Sequence, residues 1–97
     1  MISGSGEIRL EGRLICANAA EAEIVRRALP AHVAATRAEP GCLSFDVVPA
    51  EDPLVWTVTE TFADRAAFDA HQARTRNSEW GRETARIARD YSVTEAP

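Results

Sequence analysis

Thr36-Arg37-Ala38-Glu39-Pro40-Gly41-Cys42-Leu43-Ser44-Phe45-Asp46-Val47 is the stretch on which the fold turns. A helical pattern runs into Thr36-Arg37-Ala38. Pro40-Gly41 stops it, because proline cannot continue a helix and the pair marks a turn. From Cys42 to Val48 the pattern becomes a strand, with Leu43, Phe45 and Val47 on one side. One helix therefore feeds one strand, and the elements on either side follow from that joint.

Upstream, about Ala19 to Ala38 reads as a helix. Ile24, Val25, Ala28, Leu29, Val33 and Thr36 share one face, with Glu21, Glu23, Arg26, Arg27 and Arg37 opposite. Asn18 offers the cap. Pro30 falls on the outer face and is expected to kink or split this helix. Before it, Ile8 to Ala17 alternates as a strand: Ile8, Leu10, Gly12, Leu14 and Cys16 against Arg9, Glu11, Arg13 and Ile15.

Downstream, Ala50-Glu51-Asp52-Pro53 is a turn. Leu54 to Phe62 is a strand with Leu54, Trp56, Val58, Glu60 and Phe62 on one side and mainly threonines on the other. Asp64 caps a short helix to about Ala73. Asn77 or Ser78 caps another, in which Trp80, Thr84, Ile87 and Tyr91 share a face and Arg82, Arg86 and Arg89 form the wet side. Tyr91 to Glu95 is the last strand. The order β-α-β-β-α-β gives an α+β, ferredoxin-like antiparallel sheet with helices on one face. If Ile8, Leu10 and Leu14 line the other face, a second copy of the sheet must cover them, which predicts a homodimer.

The 97 residues fit one domain, residues 7–97, behind a flexible Ser/Gly-rich start at residues 1–6. A net charge of −4 argues against nucleic acid, whose phosphates reward a basic face. No apolar run is long enough to span a bilayer, and Met1 to Gly6 lacks the layout of a signal peptide. Cys16 and Cys42 make neither a disulfide framework nor a metal cluster, and they read as reduced core residues of a cytoplasmic protein. There is no Gly-rich phosphate loop, no metal-ligand spacing and no nucleophile elbow. Any redox chemistry is expected to need no cofactor and no metal.

The joint quoted above, followed by Glu51-Asp52-Pro53 and by Glu60-Thr61-Phe62-Ala63-Asp64-Arg65-Ala66-Ala67-Phe68-Asp69-Ala70-His71, resembles the antibiotic biosynthesis monooxygenase family, which includes small quinol monooxygenases. The likeness covers roughly residues 7–95. It implies a dimeric α+β barrel with a ligand cleft between sheet and helices in each subunit. It also implies oxygenation of phenolic polycycles or quinols by O2 without metal or flavin; other members isomerise small sugar-like signals. Heme-degrading relatives resemble one another in an Asn on the first strand, which this sequence lacks before Asn18.

His71 is the leading catalytic candidate. It shares a helix face with Asp64, Ala67 and Phe68, so it points inward. There it acts either as a base toward a phenol, since imidazole titrates near neutral pH, or as a tie from the helix end to a strand carbonyl. Glu60 is either paired with a cation such as Arg13 or placed in the cleft. Trp56, Trp80 and Phe68 are ordinary core or walls for a flat ligand. Asn77 and Tyr91 are candidates to hold substrate oxygens. His32 lies in the first helix's apolar stripe, where a polar ring needs a partner. The expected activity is a cofactor-independent monooxygenase for a hydroquinone or phenolic polycycle. The alternatives are a non-catalytic small-ligand-binding dimer and an isomerase of a small polyhydroxy ketone.

Overall fold

The computed structural model describes residues 6–96. The expectation of a flexible start falls, for residues 1–5, outside the described residues. The elements are β1 (Ile8–Ile15), α1 (Ala19–Arg37), β2 (Cys42–Pro49), β3 (Val55–Phe62), α2 (Arg65–Arg76), α3 (Glu79–Glu83) and β4 (Ala88–Glu95). The sheet order is β2-β3-β1-β4, and every neighbouring pair is antiparallel. The helices lie on one face, which makes the ferredoxin-like architecture. No helix among the described residues is long and apolar enough to cross a membrane.

Local chemistry sets the helix starts. Asn18 caps α1 by accepting from the Glu21 N–H at 3.0 Å, and Glu21 accepts in return from the Ala17 N–H at 2.7 Å. Asp64 caps α2 by accepting from the Ala67 N–H at 2.8 Å. The expected break at Pro30 does not occur, and α1 runs through it unsplit. Pro30 and Arg26 are both exposed, so the carbonyl that proline leaves unbonded lies on the wet side of the helix.

Three expectations are corrected by geometry. A β-bulge between Cys42 and Ser44 makes Leu43 the extra residue, so Leu43 is exposed rather than aligned with Phe45 and Val47. The last helix stops at Glu83, and β4 starts at Ala88. The Thr84 hydroxyl donates to the Trp80 carbonyl, and the Arg89 guanidinium donates to the Thr84 and Ile87 carbonyls; together they close a turn. Tyr91 therefore sits on a strand opposite Gly12, not on a helix with Trp80.

The third correction concerns the reason given for a dimer. Ile8, Leu10 and Leu14 lie in one core with Val25, Trp56, Val58, Phe62, Phe68, Trp80 and Ile87. The helices already cover them. The outer face carries Arg9, Glu11, Arg13, Thr57, Thr59 and Thr61 instead, with Arg13 paired to Asp90 at 3.1 Å.

Gly12 shows how tightly the sheet's centre is built. A Cβ there would stand 2.1 Å from the Asp90 carbonyl oxygen and 2.9 Å from Cδ1 of the Tyr91 ring. Both are fixed by the β1–β4 ladder, so the clash has no cheap relief. Gly12→Ala is expected to destabilise the fold by about 1–3 kcal/mol, as overpacking does. That lowers Tm by roughly 4–8 °C per kcal/mol in a domain of this size. A thermal melt matching the parent's would show that β4 can yield.

Candidate functional site

Gly41 brings the site together. Its φ of +86° suits glycine, and a Cβ there would meet Ala67 Cβ at 2.5 Å. The α1–β2 joint therefore presses against α2 at Ala67, and His71 lies one turn further along that helix. Glu39, just before the stop, reaches it.

The Glu39 carboxylate binds two side chains of α2. His71 Nδ1 lies 2.8 Å from Glu39 Oε1, and Arg74 Nε donates to Glu39 Oε2. Arg74 also donates to Thr36 Oγ1 at 3.0 Å. Burial pushes the Glu39 pKa up, but the Arg74 and His71 hydrogen bonds outweigh it and hold the carboxyl below its ordinary value. An ionised carboxylate only accepts, so His71 Nδ1 carries the proton. Burial pushes the His71 imidazole down against the opposing pull of Glu39. The ring is then neutral near pH 7, and its Nε2 lone pair has one protein donor, the Thr75 hydroxyl, at a long 3.5 Å.

That lone pair meets a cavity of about 560 Å³ between sheet and helices. The volume lies within the range of small-molecule sites. Leu10, Leu14, Phe45, Val47, Val58 and Trp80 supply apolar wall. His32 stacks flat on Trp80 with centroids 4.8 Å apart and planes 4° apart, which ties α1 to α3. Burial, then His71 and Arg74, hold His32 down at about 4, so it is uncharged at neutral pH.

Glu60 projects from β3 into the same cavity. Arg13 is on the opposite face of the sheet, so the expected ion pair does not form. Glu60 Oε1 is 3.7 Å from His71 Nε2, too far for a hydrogen bond, and has no partner. Burial first, then the charge of Glu39, pushes the carboxyl up to about 7. Tyr91 also lines the cavity; burial pushes its phenol up to about 12, so it keeps its proton.

His71, Glu60, His32, Trp80 and Tyr91 thus share one cavity wall. Trp56 and Phe68 do not reach it. Trp56 is core opposite Leu14, and Phe68 packs edge-on against Phe62 at 5.8 Å. Asn77 is exposed at the end of α2, where its side chain donates to the Ala73 carbonyl. Glu39 and Gln72 were not singled out from the sequence; Arg74 and Thr75 read there as part of a polar loop, Arg74 to Ser78, at the rim of the cleft, whereas Arg74 to Arg76 end α2. The signal was present: His71, Arg74 and Thr75 stand three and four residues apart on one helix face. Among the described residues, no group of three His, Cys, Asp or Glu side chains is placed to hold a metal ion.

Solved structures share the fold. Rv0793 from Mycobacterium tuberculosis superposes with a TM-score of 0.73 at 24% identity, over 95% of both chains. PA3566 from Pseudomonas aeruginosa gives 0.70 at 27% identity, over 95% of this chain and 93% of its own. A Nitrosomonas europaea protein described as a candidate antibiotic biosynthesis monooxygenase gives 0.78 at 18% identity, over 98% of this chain and 95% of its own. No curated protein sequence matches. The family model for antibiotic biosynthesis monooxygenases matches residues 14–82, most of the length, and the chain belongs to that family.

Proposed function

We propose that the protein is a cofactor-independent monooxygenase acting on a phenolic polycycle or hydroquinone with O2. Family membership supports a general monooxygenase-like function. The observation that carries the finer reading is His71: anchored by Glu39 at Nδ1, it presents an unprotonated Nε2 to a largely apolar cavity.

The chemistry needs little else from the protein. His71 Nε2 takes the phenol proton, and Glu39 stabilises the imidazolium that forms. The phenolate is electron-rich enough to pass one electron to O2. The resulting radical pair joins at a ring carbon, forming a C–O bond. Loss of water from the hydroperoxide leaves the quinone, so one oxygen atom enters the ring and the other leaves as water. The imidazolium of His71 returns its proton to the peroxide before water leaves, the substrate supplies all four electrons that O2 takes up, and no external reductant is required. Leu10, Leu14, Phe45, Val58 and Trp80 would hold the flat ring and exclude water. An isomerase of a polyhydroxy ketone would need donors where these apolar walls stand. We further propose that the working unit is a homodimer joined through the outer sheet face, where Val48 is half-exposed.

The test is oxygen uptake with a panel of hydroquinones and anthrones. His71→Ala is expected to lower turnover roughly 10²–10⁴-fold, the usual worth of a positioned base. Equal turnover in the variant would remove His71 from the chemistry. Ligand binding with no uptake by the parent would favour a binding module instead. The pH profile gives a second check. Protonated His71 cannot act as a base, and its pKa is held below the ordinary 6.5, so the acid limb of activity should lie below pH 6.5. Glu39→Gln removes the charge that raises His71. It should slow turnover and move this acid limb to still lower pH; a limb that stays put would show that Glu39 does not govern His71.

A further inference from the structure

Two buried side-chain atoms among the described residues lack any hydrogen-bond partner: His32 Nδ1 and Glu60 Oε1. Both belong to residues that line the cavity of about 560 Å³. Unpartnered buried polar atoms cost stability, so their shared location points to a ligand that completes them.

Glu60 is the more informative. It is 6% exposed, and among the described residues its only ion-pair-range neighbour is the neutral His71 ring, with no lysine or arginine in reach. The groups around it are Glu39 just beyond the end of α1, His32 on α1, Cys42 on β2, His71 on α2 with Arg76 at that helix's exposed end, and Tyr91 and Arg89 on β4. Arg74 is spent on Glu39, and Arg89 on the Thr84 and Ile87 carbonyls. Nothing there neutralises an ionised Glu60, and Glu39 repels it. The 3.7 Å between Glu60 Oε1 and His71 Nε2 is short enough for one oxygen atom to sit within hydrogen-bond reach of both.

We propose that Glu60, held as a carboxylic acid, donates a hydrogen bond to the same substrate oxygen whose proton His71 removes. This rests on the monooxygenase reading of the site and deepens it. The phenol O–H donates to His71 Nε2 while the Glu60 O–H donates to the phenol oxygen. As the proton moves to His71, negative charge gathers on an oxygen that already has a donor aimed at it. The substrate class narrows to a phenol or enol, which presents both a donor and an acceptor at one atom. The electron transfer that follows starts from a phenolate that the site has made easier to form.

The experiment uses the full chain and two readouts. The first is the visible spectrum of a bound hydroxyanthraquinone, whose phenol and phenolate absorb at different wavelengths. The parent should bind it as phenolate at a pH below that of the free dye's transition. Glu60→Leu should return the transition toward that of the free dye, and Glu60→Gln, whose amide N–H still donates, should keep most of the shift. An unchanged transition in Glu60→Leu would overturn the proposal. Because this readout needs no turnover, it separates the donor role from the monooxygenase reading. The second readout is kcat wherever oxygen uptake is found. Glu60→Leu should lose roughly 10²-fold, the scale of one lost oxyanion donor. The parent should lose activity as pH rises through about 7, where Glu60 ionises, and Glu60→Gln should show no such limb. A limb that persists in Glu60→Gln would also overturn the proposal.

Thermal stability checks that the acid form is the one held. A carboxyl raised in the folded state binds its proton between about pH 4.5 and 7 when the unfolded chain does not. Its contribution therefore falls as pH rises through that window. The Tm of Glu60→Leu relative to the parent should climb from pH 5 to pH 8, and a constant difference would mean that Glu60 is not held neutral.

Discussion

Glu39 is the hinge pin of the site. Its carboxylate is the one group that bonds both His71 and Arg74, and it stands in the joint between α1 and β2. Three things follow from that placement. The C-terminal half of α2 is fixed against α1, since Arg74 also reaches Thr36. The tautomer of His71 is fixed, because a carboxylate leaves its partner nitrogen no choice but to donate. The direction of Nε2 is fixed as well, toward the cavity. The geometry is possible only because Gly41 lets the joint approach Ala67 closely. A turn residue chosen for backbone reasons thus sets the distance at which His71 meets Glu39.

Burial acts on three titratable groups of this cavity in the same sense and with different results. It disfavours charge on each, so His32 and His71 fall and Glu60 rises. What distinguishes them is the partner. His71 has Glu39 to favour its protonated form, so it can accept a proton and be stabilised. His32 is stacked on Trp80 and has no carboxylate in contact, so it stays neutral and behaves as part of the apolar wall with one polar edge. Glu60 has a second carboxylate nearby instead of a cation. Three residues drawn into one environment thereby differ in what they hold: an imidazole braced by a carboxylate, a neutral imidazole stacked on an indole, and a carboxyl whose ionisation is opposed.

The fold was largely legible in the sequence because its signals are local. Asn18 and Asp64 are strong caps, Pro40-Gly41 is a strong stop, and β3 alternates cleanly from Trp56 to Phe62. The errors arose where a long-range contact overrides local pattern. Leu43 reads as one more inward residue, and only the pairing with β3 shows the bulge that turns it out. The helix after Ser78 reads as long because Thr84 and Ile87 keep helical spacing; hydrogen bonds from Thr84 and Arg89 end it early. The same limit applies to the site. Inward direction of His71, Glu60 and His32 follows from periodicity, which brought those residues into consideration. Trp56 and Phe68 point inward equally well but into the filled part of the core, a distinction that periodicity cannot make. Glu39 was missed because a residue just beyond a helix end has no face to assign.

The cavity also explains an inconsistency in the way this small domain is built. Its sheet is assembled without slack, as Gly12 against Asp90 and Tyr91 shows, while a few ångströms away a cavity of about 560 Å³ stays open. A chain of 97 residues has little stability to spare. An open apolar cavity forfeits packing, and two unpartnered buried polar atoms add their desolvation cost. Filling that space with larger side chains in place of His32 and Glu60 would be the stabilising choice if the domain were only a scaffold. The tight sheet and the Glu39 clamp instead frame a cavity whose lining keeps both residues with unsatisfied atoms, which is the arrangement the proposed ligand role requires.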